Sequence, residues 1–212
     1  MCFLQIMRTE LRIVAGSLRG RKLTCTVSTT LRPTPQMVRE ALFSILGDAV
    51  PERPFFDVFA GTGVVGLEAL SRGAASAAFV ERDFRLIAEL ERHIAAFGVG
   101  DKARIARSDV YRWAERWAAP AEPVVIFLSP PFADYQHRLD DLLRLVGELQ
   151  RKAARGSVVV LQAETGVPLD ALPDRPAWDE RKYGRNQLFF WVKEPGPAPH
   201  AEEDGRNGDA SD

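Results

Sequence analysis

Cysteine is nearly absent from this 212-residue chain, with Cys2 and Cys25 as its only two. Two thiols are too few for a disulfide framework or a four-thiolate metal site, so the composition points to the reducing cytoplasm and to no bound metal. Long apolar runs are missing as well. No stretch approaches the roughly 20 residues a membrane span requires. Residues 1–7 are too short for a signal-peptide core and lack a basic start, and read as an overlong start with Met7 the true one. No internal repeat is present. With 46% hydrophobic residues, the length suffices for one cored domain plus a small appendage.

Net charge is also small, a formal −1, but it conceals an asymmetry. Residues 194–212 hold six acids against Arg206, a net of −5 that leaves +4 on residues 1–193. Residues 1–39 carry Arg8, Arg12, Arg19, Arg21, Lys22, Arg32 and Arg39 against Glu10 alone, a net of +6. Such a concentration is either a solvated face or a surface for nucleic-acid phosphates.

What is present is a regular alternation of apolar strands and amphipathic helices. Residues 11–16 and 21–27 alternate as strands around a turn at 17–20, giving a basic amino-terminal hairpin over 8–33. Thr34 offers an N-cap and Pro35 a first-turn proline for a helix closed by Gly47. From residue 55 the order is strand 55–60, helix 64–72, strand 75–80, helix 83–97, strand 103–106 and a short helix 111–117. It continues with strand 124–128, helix 136–151 and strand 157–161. This pattern predicts an α/β, Rossmann-like, mostly parallel sheet with helices on both faces. Residues 178–183 and 187–192, split by Gly184-Arg185-Asn186, form a closing antiparallel hairpin, so one domain spans 34–193. The acidic segment 194–212, rich in Pro and Gly, is expected to be disordered.

Two motifs carry chemistry, each following an apolar run and so standing at the carboxyl end of a strand. The first is DVFAGTGVVG, residues 57–66, in which Gly61, Gly63 and Gly66 permit a tight turn and a close backbone approach to a ligand. A dinucleotide enzyme would use the same glycines, with Glu81 on the ribose. Asp57, two residues ahead of Phe59 and the loop, argues otherwise. A carboxylate there disfavours a pyrophosphate and suits a cofactor bearing an ammonium and a sulfonium, S-adenosylmethionine. Glu81 would then take the ribose hydroxyls and Asp109 the adenine amino group. The second motif is SPPF, residues 129–132. Pro130 and Pro131 stiffen the loop and withhold donors, so that Ser129 Oγ and the Pro130 carbonyl can accept from an exocyclic amine. Phe132 would stack on the base, worth about 1–3 kcal/mol.

These residues are similar to one family. RIVAG (12–16), RGRKL (19–23), LRPT (31–34), VREALF (38–43), DVFAGTG (57–63) and GLEALSRG (66–73) resemble the bacterial small-subunit ribosomal RNA guanine-N2 methyltransferases of the RsmD type, over residues 12–193. The resemblance implies a seven-stranded class I fold with S-adenosylmethionine as donor. It also implies a guanine of 16S ribosomal RNA as acceptor, presented on an assembled or assembling 30S subunit. Arg12, Arg19, Arg21, Lys22 and Arg32 would hold phosphates, and a monomer would act. In the family the first clamp position is usually Asp and sometimes Asn, whereas here it is Ser129. The rival readings are a DNA amino methyltransferase, which can use Ser there, and a catalytically weakened RNA-binding homologue acting in ribosome assembly.

Overall fold

The computed structural model describes residues 7–27 and 31–194. Cys2, the proposed early start and nearly all of the acidic segment lie outside the described residues. The described chain forms a two-stranded hairpin and a seven-stranded sheet flanked by helices.

The hairpin pairs β1 (Met7–Arg12) with β2 (Lys22–Val27). The expected first strand over 11–16 is displaced toward the amino terminus, because residues 13–16 leave the ladder to reach the next layer. Gly16, at φ +82°, lies so close to Ser71 that a Cβ would stand 1.8 Å from the Ser71 carbonyl oxygen. The Ser17 amide donates to that same carbonyl at 2.7 Å. The next helix, α1 (Gln36–Leu46), begins after Pro35 with no side-chain cap. Thr34 does not cap it as expected, since its hydroxyl donates to Gln162 Oε1 at 2.8 Å.

The sheet then forms from β3 (Pro54–Val58), β4 (Ser76–Glu81), β5 (Ala103–Arg107), β6 (Val125–Leu128), β7 (Val158–Glu164), β8 (Asp179–Tyr183) and β9 (Asn186–Val192). Their spatial order is β5-β4-β3-β6-β7-β9-β8. β9 runs antiparallel to both neighbours and the other paired strands are parallel. The order reverses at β3, the switch point where open α/β sheets bind ligands beyond their carboxyl ends.

Helices α2 (Val64–Ser71), α3 (Phe84–Phe97), α4 (Val110–Arg116), α5 (Phe132–His137) and α6 (Leu139–Lys152) complete the domain. The helix expected over 136–151 is two helices, broken where Arg138 adopts φ −138°. Alternate residues of the central strands feed two cores. Val125 and Phe127 join α1, α2, α3 and the hairpin, while Ile126 and Leu128 join α4, α5 and α6. Each fully buried large apolar side chain contributes about 1.5–3 kcal/mol.

Arg39, 1% exposed, ties the amino-terminal segment into this body. Its guanidinium donates to the carbonyls of Arg12 (2.8 Å) and Thr34 (2.7 Å) and to Glu68 on α2 (3.1 Å). Glu68, fully buried, also accepts from Arg72 at 2.9 Å. Among the described residues no helix is long and apolar enough to cross a membrane. No group of three or more His, Cys, Asp or Glu among them is arranged to hold a metal.

Candidate active site

The loops after β3 and β6 face each other across the switch point. Val58 pairs with Leu128 in the parallel register, and the Ser129 amide donates to the Val58 carbonyl at 3.3 Å. The two motifs, some seventy residues apart in sequence, therefore share one crevice.

On the β3 side the backbone turns sharply. Gly61 and Gly63 stand at φ +53° and +71°, and Phe59 itself is left-handed at φ +67°. A non-glycine residue held there costs on the order of 1–3 kcal/mol and is found where the surrounding structure imposes it. Packing of the Phe59 ring edge-on to Tyr111, centroids 6.0 Å apart, supplies part of that restraint. The glycines serve unequal purposes. A Cβ on Gly63 would meet Leu90 at 2.4 Å and one on Gly66 would meet Phe79 at 2.3 Å, so both are needed for α2 to press on α3 and the sheet. At Gly61 the nearest atom is Leu31 Cδ1 at 3.1 Å, from the segment that rims the crevice.

The three acidic residues stand at successive strand ends, and each already has backbone partners. Asp57 is 1% exposed and accepts the Gly66 amide at 2.9 Å through Oδ2. It lies behind the loop rather than on its surface, which differs from the direct ligand contact expected of it. Burial raises its pKa to about 7, against the Gly66 hydrogen bond, which lowers it, and with a further upward push from Glu81. Glu81 accepts the Gly61 amide at 2.9 Å and the amides of Arg82 and Asp83 at 2.7 and 2.9 Å. Asp109 caps α4 through the Tyr111 and Arg112 amides and pairs with Arg82 at 3.1 Å. A carboxylate offers about four acceptor directions, so Glu81 and Asp109, both partly exposed, each retain capacity for a ligand hydroxyl or amine. Two glycine turns backed by a carboxylate, with two further carboxylates along the same edge, fit a cationic nucleoside better than a pyrophosphate.

On the β6 side Ser129 is half-buried, Pro130 buried and Pro131 exposed. Pro131 precedes α5, and its carbonyl accepts the Asp134 amide at 2.9 Å. Phe132 opens α5 and is 46% exposed, free to offer a face to a planar ring. Two hydroxyls fix this short helix. Tyr111 donates to Asp134 Oδ2 and Tyr135 to the Gln162 carbonyl, each at 2.6 Å. Burial, and then Asp134, hold Tyr111 well above the usual tyrosine range, so it remains a donor. Arg138 stacks 3.8 Å over the Tyr111 ring.

Gln162 was not singled out by the sequence. It ends an ordinary apolar strand run, and only the fold shows that its side chain meets Thr34, Ser129 and Asn186 (2.8, 3.5 and 3.1 Å).

The expected phosphate-binding residues fall in two places. Arg32 reaches the crevice rim, 3.6 Å from Glu164. Arg12, Arg19, Arg21 and Lys22 are exposed on the hairpin, which lies along α3. Thr26 bonds Glu89, the Thr24 carbonyl meets His93 and Arg21 caps the Phe97 ring. The turn bearing Arg19 and Arg21 therefore sits at the far end of α3, a 14-residue helix of about 21 Å, away from the crevice. Lys22 is further engaged by Glu10 at 2.9 Å. A separate concavity of about 740 Å³ opens between Val158 and Val192, at the opposite end of the sheet from both motifs.

Residues 11–192 match the family described as Conserved hypothetical protein 95. Ribosomal RNA small subunit methyltransferase D of Escherichia coli K12 is 38% identical over 160 residues, which cover 75% of this chain and 78% of that protein. Its Haemophilus influenzae namesake is 35% identical over 124 residues, covering 58% and 64%. Among solved structures, a hypothetical protein of Thermus thermophilus superposes with a TM-score of 0.69 at 33% identity, covering 86% of this chain and 99% of that one.

Proposed function

The chain belongs to the Conserved hypothetical protein 95 family, alongside ribosomal RNA small subunit methyltransferase D, and from that premise we propose that it methylates the exocyclic N2 of a guanine in 16S ribosomal RNA. S-adenosylmethionine supplies the electrophilic methyl group. The observation that carries the reading is the adjacency of Ser129 to the glycine turn at the switch point. Glu81, Asp109 and the turn at Gly61 would hold the donor, with Asp57 acting from behind the loop. Ser129 Oγ and the Pro130 carbonyl accept the amine N–H groups, and Phe132 stacks on the base. Such a site works mainly by positioning, because a methylated amine is acidic enough to lose its proton to water.

The base must leave its stack to reach this crevice, so the target is unpaired or flipped out. The turn bearing Arg19 and Arg21, at the end of α3 away from the crevice, favours a large structured substrate such as the 30S subunit or its precursor over a short oligonucleotide. That substrate places the enzyme in the cytoplasm, and a monomer suffices to build the site. The test is methyl transfer from labelled S-adenosylmethionine to 30S subunits, naked 16S RNA and duplex DNA, followed by nucleoside mapping. N2-methylguanine in 16S RNA is the expected product. Methylation of DNA alone would favour the DNA amino methyltransferase, and RNA binding without turnover the assembly protein.

A further inference from the structure

A serine hydroxyl differs from a carboxylate in having a proton of its own. To accept from an amine it must first direct that proton elsewhere; otherwise donor faces donor. Around Ser129 the structure provides such a receiver. Gln162, 8% exposed on β7, is fixed by two short bonds: Thr34 Oγ1 donates to its Oε1 at 2.8 Å, and its Nε2 donates to Asn186 Oδ1 at 3.1 Å. With the amide so oriented, the second acceptor direction of Oε1 faces Ser129, whose Oγ donates to it at 3.5 Å. The Gln162 carbonyl also accepts from Tyr135 of α5, so one residue joins the clamp serine to the helix that carries Phe132.

We propose that Gln162 is a positioning residue that takes the Ser129 proton into a hydrogen bond and so presents the Ser129 lone pairs to the incoming amine, with Thr34 and Asn186 holding its amide in the required sense. A carboxylate at position 129 would have no need of this arrangement, since it has only acceptors. The inference rests on the proposed methyltransferase reading of Ser129.

A double-mutant cycle measured by single turnover on 30S subunits tests it. Gln162→Met preserves approximate volume and removes the acceptor. In the parent it should lower the methyl-transfer rate about tenfold, the effect of losing one hydrogen bond of about 1.4 kcal/mol in the transition state, while KM stays within about twofold. In the Ser129→Ala background, Gln162→Met should change little, because the hydroxyl it orients is gone. Ser129→Asp combined with Gln162→Met should recover at least the parent rate. Equal slowing by Gln162→Met in the parent and in Ser129→Ala would mark its role as merely structural and overturn the proposal, as would an unchanged parent rate. A parent-like rate in Ser129→Ala alone would remove Ser129 from the chemistry and overturn both this proposal and the reading of Ser129 as the amine acceptor, while methyl transfer itself stands. Slow Ser129→Ala beside a fast Gln162→Met would overturn this one only.

Discussion

Asp57→Asn should stabilise the ligand-free protein at pH 8 while weakening its hold on a cationic cofactor. Asp57 is 1% exposed, and its pKa in the fold is about 7 against an ordinary 3.8. A carboxyl whose folded pKa is raised binds more protons folded than unfolded, so it favours the fold at low pH. That advantage is lost as pH climbs from the unfolded value through the folded one. Over pH 5 to 8, a rise from 3.8 to about 7 corresponds to a loss of about 2–3 kcal/mol in the parent. Asparagine keeps an oxygen for the Gly66 amide, 2.9 Å from Asp57 Oδ2, and does not ionise. The stability difference in favour of the asparagine variant should therefore already exist at pH 5, above the unfolded pKa, and widen by about that amount on going to pH 8. Denaturant titrations of both proteins at the two pH values measure the difference and cancel other titrating groups. Parallel pH slopes would refute the reasoning. Calorimetry with S-adenosylmethionine supplies a second reading, since weaker binding by a more stable variant separates lost attraction from misfolding.

Gly66→Ala would put a Cβ 2.3 Å from the Phe79 ring in the core and should destabilise by about 1–3 kcal/mol, visible as a lower thermal midpoint. Arg39→Met should be more damaging, about 3–5 kcal/mol, because Glu68 loses a partner while fully buried and two carbonyls lose their donor. If Arg39→Met melted like the parent, the clasp would be ornamental. Neutralising Arg19, Arg21 and Lys22 together should weaken binding to 30S subunits and flatten its dependence on salt. Cofactor affinity should stay unaltered, since the turn sits at the end of α3 remote from the crevice. Unchanged affinity for subunits would return the turn to a solvated face.

The parallel sheet, its closing hairpin and both motif loops were legible because their signals are local: apolar runs of strand length, helical spacing, and glycines or prolines at strand ends. What escaped were consequences of the third dimension. The polar amide of Gln162 at the end of an apolar run does not announce that Thr34, 128 positions away, will meet it. The same distant partner drew Thr34 from the capping role its sequence context suggested. Periodicity ran unbroken through residues 136–151 and hid the break at Arg138, where no proline or glycine marks it. The glycine pattern speaks for a tight turn and a close backbone approach to a ligand, and the sequence alone does not show that Gly63 and Gly66 also make room for Leu90 and Phe79. The concentration of arginine at the amino end is plain in the sequence, but only the hairpin's path along α3 puts the turn of Arg21 beside Phe97, at the far end of that helix from the crevice.

The insertion of β9 between β7 and β8 has a consequence for synthesis. A chain emerging from its amino end completes β7, six of whose seven residues are buried in the finished fold, well before any partner exists for its outer edge. β8 emerges next but cannot pair with β7 directly, because the vacant place between them belongs to a strand not yet made. Until Asn186–Val192 arrives, the nascent protein presents an apolar open edge of the kind that recruits other chains. Premature termination in this last stretch should therefore yield aggregates rather than a feebler enzyme, and the polar floor under Ser129, which needs Asn186, is among the last features to form.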